Sequence, residues 1–328
     1  MSNKRVKIGI STFNDHEYLG MLLQSIRWYT NLAEEFDVVV CDDGSHPSYL
    51  PKIEEECTRF GATLLKHERN LGIPAAWNHL ARSLGGEAEI VVLLNNDIIV
   101  PPQWLDVAVY FLDANRDNPN VGSCFWNPIN RVSKEMMRAL LPDLGHTTMT
   151  TRDLISGREP DFWASDHFEH RVGHGHGLGR VMCPCGCCFA FHMDVFNEVG
   201  GFWEELISFH EESAFGTLCA EKGRASYGFA YPRPYHTHGA AFAANPSELR
   251  PGPRMVESRR MYRERFGVPG DVPDNAYFQW VNERLMPAIP TTRLKYLSPD
   301  YDAEPVTVKL SGGEEVRLPR LVEREGDF

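Results

Sequence analysis

The sequence predicts an α/β protein: a mostly parallel central sheet with helices on both faces, followed by a C-terminal extension. Three observations carry that expectation. Short apolar runs rich in β-branched residues alternate with helix-like stretches through the first third of the chain, as in repeated strand–helix–strand units. Two of those runs end directly in acidic clusters, Asp42-Asp43 and Asp97, and the carboxyl ends of parallel strands are where such sheets bind ligands. The 328 residues are 42% hydrophobic and 24% charged, an ordinary globular balance able to bury a full core.

Val6–Ile10 reads as the first strand, and Leu19, Leu22, Leu23 and Ile26 then recur as one helical face. Phe36–Cys41 (FDVVVC) is the second strand and ends at Asp42-Asp43-Gly44-Ser45. A helix is expected over Tyr49–Phe60 and a third strand over Ala62–Leu65. Pro74 suits the first turn of a helix running to Leu84. Ile90–Leu94 is the fourth strand and ends at Asn95-Asn96-Asp97. Between Phe125 and Gly179 periodicity is poor, which predicts long loops or an inserted lobe. A strand is expected again over Arg180–Phe191, then a short helix and the Gly200-Gly201-Phe202 turn. Residues 209–222 and Met255–Phe266 read as helices, with the turn-rich Tyr235-His236-Thr237-His238-Gly239 between them. Beyond Leu297 strand signals are short, at Val306–Leu310 and Val316–Leu318. This divides the chain into a main domain, residues 1–240, and a C-terminal helix with an extended tail, residues 241–328. The domain splits into two halves, residues 1–125 and 126–240.

The net charge of −12 withholds the general basic field that attracts phosphate backbones, which argues against nucleic acid as a partner. There is no run of eighteen apolar residues and no apolar leader after MSNKRVKIGI, so no membrane span and a cytoplasmic location are expected. Of eight cysteines, four crowd into Cys183, Cys185, Cys187 and Cys188. That spacing fits no standard zinc pattern, and in a strand three of them would share one face as small core residues.

The acidic clusters each admit a bland and a functional reading. Asp97 can cap the turn after its strand or hold a hard divalent cation such as Mn²⁺ or Mg²⁺. Asp42 and Asp43 can make a turn or accept hydrogen bonds from a base or ribose. Glu211 and Glu212 can be a solvated first helical turn or a base that takes a proton from a hydroxyl. His236 and His238, two apart, would share a side in an extended segment and could join a metal or simply hydrogen-bond at the surface. The loop Gly173–Gly179 matches neither dinucleotide nor P-loop spacing; it reads as a mobile loop that could close over a ligand.

As an ordered set, Val6–Phe13 (VKIGISTF), Cys41–Ser45, Asn70-Leu71-Gly72 with Asn78, Leu94–Asp97, Gly200-Gly201-Phe202 and Glu211-Glu212 resembles glycosyltransferase family 2. The resemblance covers about residues 5–240 and implies the GT-A fold, with a nucleotide-binding N-terminal half. It implies donor contacts for Thr12, Asp42, Asp43, Asn70, Asn78, Asn95 and Asn96, and a metal carboxylate at Asp97 in the DxD position. It also implies a general base at Glu212 beside Glu211, and metal or diphosphate support from His238. Asn95 and Glu212 depart from the family's aspartates. The implied activity is metal-dependent, inverting transfer from a UDP-, GDP- or dTDP-sugar to an acceptor hydroxyl. Two rival readings are a sugar-phosphate nucleotidyltransferase and a Cys/His zinc-binding interaction protein. The first is weakened because Ser11–Asp15 carries no Gly-rich basic loop.

Overall fold

The computed structural model describes residues 5–30, 36–84, 89–143, 178–300, 302–309 and 315–328. Strands β1 (Val6–Thr12), β2 (Phe36–Asp42), β3 (Thr63–Lys66) and β4 (Ile90–Asn95) alternate with helices α1 (Glu17–Tyr29), α2 (Leu50–Phe60) and α3 (Ile73–Leu84). Next come β5 (Ile98–Ile99), α4 (Trp104–Ala114), β6 (Val121–Trp126) and α5 (Lys134–Leu140). Then follow β7 (Leu178–Val181), β8 (Cys188–His192), α6 (Met193–Val199), α7 (Glu211–Glu221), β9 (Ala225–Phe229) and β10 (Tyr235–His236).

Eight strands form one sheet in the order β3-β2-β1-β4-β8-β6-β9-β7. Neighbours are parallel throughout β3-β2-β1-β4 and again at β6-β9, while β8 runs antiparallel between β4 and β6, and β7 antiparallel to β9. Alternation along the strands feeds two cores. Ile90, Val92 and Leu94 pack with Leu19, Leu22, Trp104 and Phe111 on one face. Val91 and Leu93 pack with Trp77, Leu80, Phe189, Phe202 and Phe215 on the other. Phe202 stacks on Phe215 with ring centroids 4.7 Å apart, a contact worth about 0.5–1.5 kcal/mol beyond area burial.

The expected strand over Arg180–Phe191 is two strands, β7 and β8, joined by a turn. Pro184 has no N–H for a ladder and Gly186 weakens a strand, so the four crowded cysteines lie on or beside a turn and do not line one strand face. Helix α4 carried little legible period because its apolar face is broad: Trp104, Leu105, Val107, Ala108, Val109, Phe111 and Leu112 are all buried, and the polar stripe narrows to Asp106, Tyr110 and Asp113. Most of the aperiodic region, including Gly173–Gly177 of the Gly/His loop, lies outside the described residues; Leu178 and Gly179 belong to β7.

The C-terminal part holds α8 (Ala240–Ala244), α9 (Pro246–Leu249), α10 (Pro251–Arg265), α11 (Tyr277–Leu285) and two antiparallel pairs. These are β11 (Arg293–Asp300) with β14 (Arg320–Asp327), and β12 (Val306–Lys309) with β13 (Glu315–Leu318). Tyr262, Tyr277, Leu294 and Tyr296 join the larger core. Among the described residues no helix is long and apolar enough to cross a membrane.

Candidate active site

Parallel pairing aligns the ends of three strands: Thr12 lies opposite Asp42, and Ser11 opposite Asn95. The acidic clusters therefore meet at one sheet edge. Asp42 accepts from the Ser45 N–H at 3.2 Å and from the Ser45 hydroxyl, closing its own turn. Asp43 reaches further. Its Oδ1 accepts from the Leu71 N–H at 2.9 Å and lies 2.7 Å from His67 Nδ1, while Oδ2 accepts from the Gly72 N–H at 2.8 Å. Burial pushes the Asp43 carboxyl up, against the lowering pull of these partners. Gly72 has φ 95°, and a Cβ there would meet the Ile207 carbonyl oxygen at 2.0 Å. Only glycine lets the two loops approach so closely.

Asp97 follows β4, and its surroundings come from far along the chain. β5 pairs antiparallel with β10, setting His236 opposite Ile98. Asp97 Oδ1 lies 3.2 Å from His236 Nε2, and Oδ2 accepts from the Ala240 N–H at 3.2 Å. His236 Nδ1 lies 2.8 Å from Asn130 Oδ1. Burial pushes the Asp97 carboxyl up, but His236, the Ala240 N–H and His238 together outweigh it and hold it below its ordinary value. The histidine against Asp97 is thus His236; the His238 ring stands 5.4 Å from the His236 ring.

Glu211 and Glu212 open α7. The approach to that helix is unusual: Ile207, Phe209 and His210 all have positive φ, 60°, 67° and 67°. Such conformations cost on the order of 1–3 kcal/mol each and persist only where contacts enforce them. Here Ser258 Oγ lies 2.8 and 2.7 Å from the Leu206 and Ser208 carbonyl oxygens, which share its one O–H donor, and Tyr277 Oη lies 2.9 Å from His210 Nε2. Burial depresses the His210 imidazole to about 4. The Glu212 carboxyl lies against Gly186, where an added Cβ would meet Glu212 Cδ at 2.9 Å. Burial raises Glu212 above its ordinary value, and burial with the neighbouring Glu212 charge raises Glu211 well above its own.

A continuous chain of contacts joins the three acidic positions. The Asp43 N–H donates to the Thr12 carbonyl at 2.9 Å, and Asn96 Nδ2 donates to Thr12 Oγ1 at 3.1 Å. The Asn95 N–H donates to the Cys187 carbonyl at 2.9 Å, next to Gly186 and hence Glu212. On the other side the Ile73 N–H donates to the Ile207 carbonyl at 2.9 Å. Along this edge Asn70 Oδ1, Asn95 Oδ1, Ser208 Oγ and Glu211 Oε2 are buried without a hydrogen-bond partner. Buried polar atoms are nearly always satisfied, so these four are free to meet a ligand bound at this edge.

Asn78, for which the resemblance implies a donor contact, packs against the Gly-Gly-Phe turn. It is 1% exposed, and its amide is fully used: Nδ2 donates to the Phe202 carbonyl at 2.8 Å and to Glu204 Oε1 at 2.7 Å, while Oδ1 accepts from the Phe202 N–H at 2.8 Å. It clamps the Gly-Gly-Phe turn. Sequence reasoning also passed over His67, Ser258 and Tyr277. His67 offers no signal beyond a histidine after a strand, because its role depends on β3 bringing it to Asp43.

Asp97 and Asn95 offer the kind of oxygen donors that a hard divalent cation takes. Asp97 is held ionised, Asn95 Oδ1 is an unsatisfied oxygen donor two residues away, and two imidazoles are adjacent. A hard cation needs only one or two protein ligands when a substrate's phosphates supply others.

Solved structures share this fold. PcManGT, a mannosyltransferase from Pyrobaculum calidifontis solved with GDP-Man and Mn²⁺, superposes with a TM-score of 0.52 at 16% identity, covering 88% of this chain and 74% of that one. S. aureus TarS 1-349, solved with UDP, gives 0.52 at 15% identity over 86% and 70%. GalNAc-T7, solved with UDP, GalNAc and Mn²⁺, gives 0.52 at 15% identity over 71% and 44%, so the chain spans less than half of that protein. It also spans 49% of a longer TarS chain. No curated protein is significantly similar in sequence. These likenesses establish the GT-A fold. A family model described as "Glycosyl transferase family 2" matches residues 7–200, from β1 to the glycine that ends α6. With more than half of its length inside that match and the acidic strand ends converging on one edge, the chain belongs to glycosyl transferase family 2.

Proposed function

We propose that the chain transfers a sugar from a nucleoside-diphosphate sugar to an acceptor hydroxyl with inversion at the anomeric carbon. The observation that carries this reading is the approach of Asp97 and Glu212 at one sheet edge, linked by the Asn95 N–H bond to the Cys187 carbonyl and the Glu212 contact with Gly186. Asp97 is held ionised and Glu212 is biased toward accepting a proton, the division of labour expected where charge stabilisation and proton transfer fall to different residues.

Glu212 takes the proton from the acceptor hydroxyl as that oxygen bonds to the anomeric carbon and the bond to the diphosphate breaks. Asp97, with Asn95 Oδ1 and a neighbouring imidazole, would hold Mn²⁺ or Mg²⁺. When bound, such an ion supplies Lewis-acid stabilisation of charge on the leaving diphosphate. Asp43 has three donors on its carboxylate and keeps acceptor capacity for a base or ribose group; Thr12, Asn70 and Asn96 border the same space.

The test pairs thermal melting with product analysis. Nucleoside diphosphates and their sugars are screened with Mn²⁺; a true donor present at a hundred times its Kd stabilises the native state by about 2.7 kcal/mol. The stabilising sugar nucleotide is then turned over, and the anomeric configuration of the product is read by NMR. A product that keeps the donor's configuration would exclude the single displacement assigned to Glu212.

A further inference from the structure

We infer that Cys41, His67 and His79 form a second cation site, suited to a borderline-soft divalent ion such as Zn²⁺, that ties β2 to α3. Cys41 lies on β2, His67 just past β3 and His79 on α3, and one donor atom from each lies within 4.8 Å of both others. Cys41 Sγ is 3.7 Å from His67 Nε2, and His67 Nε2 is 2.9 Å from His79 Nδ1. A tetrahedral ion with bonds of about 2.3 Å to sulfur and 2.05 Å to nitrogen sets these separations at about 3.6 and 3.3 Å. The sulfur is at the required distance from His67 Nε2, and the two nitrogens must part by about 0.4 Å on that arithmetic.

The supporting shell is in place. His67 Nδ1 faces Asp43 Oδ1 at 2.7 Å, and a carboxylate behind a histidine fixes its tautomer and leaves Nε2 as the ligand atom. Asp43 is itself held by the Leu71 and Gly72 N–H groups. The two imidazole planes are within 6° with centroids 5.1 Å apart; with facing nitrogens only 2.9 Å apart, the rings meet edge to edge and share one N–H···N bond. On binding, His79 turns about χ2 and moves its proton from Nδ1 to Nε2. Its half-exposed place on α3 leaves room for that. Cys41 gives up its thiol proton, so one proton is released per ion. Burial with Asp43 and Asp42 nearby pushes the free Cys41 thiol up to about 12, and burial with His67 and Arg82 nearby keeps His79 below its ordinary value, as a neutral ligand. A bound cation reverses the local penalty on the thiolate.

The donor set separates this site from the one at Asp97. Thiolate and imidazole select zinc-like ions, whereas carboxylate and carbonyl oxygen select magnesium or manganese. The site does not depend on Asp43 touching a sugar nucleotide.

The test uses the whole chain, freed of metal and titrated with Co²⁺ and then Zn²⁺. The expected result is one equivalent of Co²⁺ giving a thiolate charge-transfer band, displaced by one equivalent of Zn²⁺, with affinity falling as pH is lowered. Cys41→Ser should abolish the band, and His79→Ala should weaken binding about tenfold or more. Absence of a thiolate band in the wild-type chain, which needs no variant to be folded, overturns the proposal. So does a band that survives Cys41→Ser, since the sulfur would then come from the turn at Cys183–Cys188.

Discussion

Asp97 and Glu212 stand at the same edge of one sheet, both withdrawn from water, yet their protonation is biased in opposite directions. Burial raises both carboxyls. Around Asp97 the imidazoles of His236 and His238 and the Ala240 N–H reverse that rise. Around Glu212 only the N–H groups of the first helical turn oppose it, and they do not suffice. The difference teaches that neighbours, and not residue type, decide which acid in this site stays charged and which can take a proton.

The largest way to break the comparison is Glu212→Gln, which keeps the shape and removes the base. Transfer should fall by up to about 10⁴-fold with donor affinity unchanged; a wild-type rate in the purified variant would remove Glu212 from the chemistry. Asp97→Asn should cost about 10³-fold, since Lewis-acid stabilisation is worth several kcal/mol and each 1.36 kcal/mol is tenfold. Manganese affinity measured by calorimetry should collapse in parallel, and unchanged affinity would move the cation site elsewhere.

A pH profile sharpens the contrast without mutation. The base must be unprotonated to act, and its value is raised, so kcat/KM should fall about tenfold per unit as pH drops below a limb above 4.5, the ordinary glutamate value. Asp97 is shifted the other way, so proton competition at that carboxylate should begin only below its ordinary 3.8. A rate limb at or below 4.5 would contradict the assignment of Glu212.

Two smaller effects concern stability. Asn78→Ala leaves the Gly-Gly-Phe turn without its clamp and should cost about 1–3 kcal/mol in denaturant unfolding, with KM for the donor unchanged. A raised KM at unchanged stability would restore Asn78 to donor binding. Glu211→Gln should be the mildest change, a gain on the order of 1 kcal/mol. Glu211 has a raised value in the folded chain, so its contribution is fully present below the unfolded value and is lost as pH rises toward the folded one. The variant's advantage should therefore grow as pH rises above 4.5, the ordinary glutamate value; a constant difference would show that Glu211 does not titrate on unfolding.

Much of the donor side of the fold was legible because its strands and helices carry clean periods. FDVVVC and IVVLL announce buried strands, and the acids at their ends follow without any long-range information. α4 was hidden because its apolar face is so broad that only Asp106, Tyr110 and Asp113 are left as a polar stripe. The cysteine segment was misread as one strand because apolar content outweighed Pro184 and Gly186. His236 and His238, two apart, could not be ranked from the sequence; β5–β10 pairing brings His236 Nε2 within 3.2 Å of Asp97 Oδ1.

The sequence by itself determined which carboxylates follow which strands, and hence the family and the edge where a ligand binds, because local pattern fixes strand ends. Tertiary structure alone decided the rest: that Asn78 holds a turn, that His67 stands behind Asp43, and that Asp97 and Glu212 are pushed apart in proton affinity. The reason is that hydrogen-bond partners and desolvation are set by groups distant in the chain, and only packing brings those groups together.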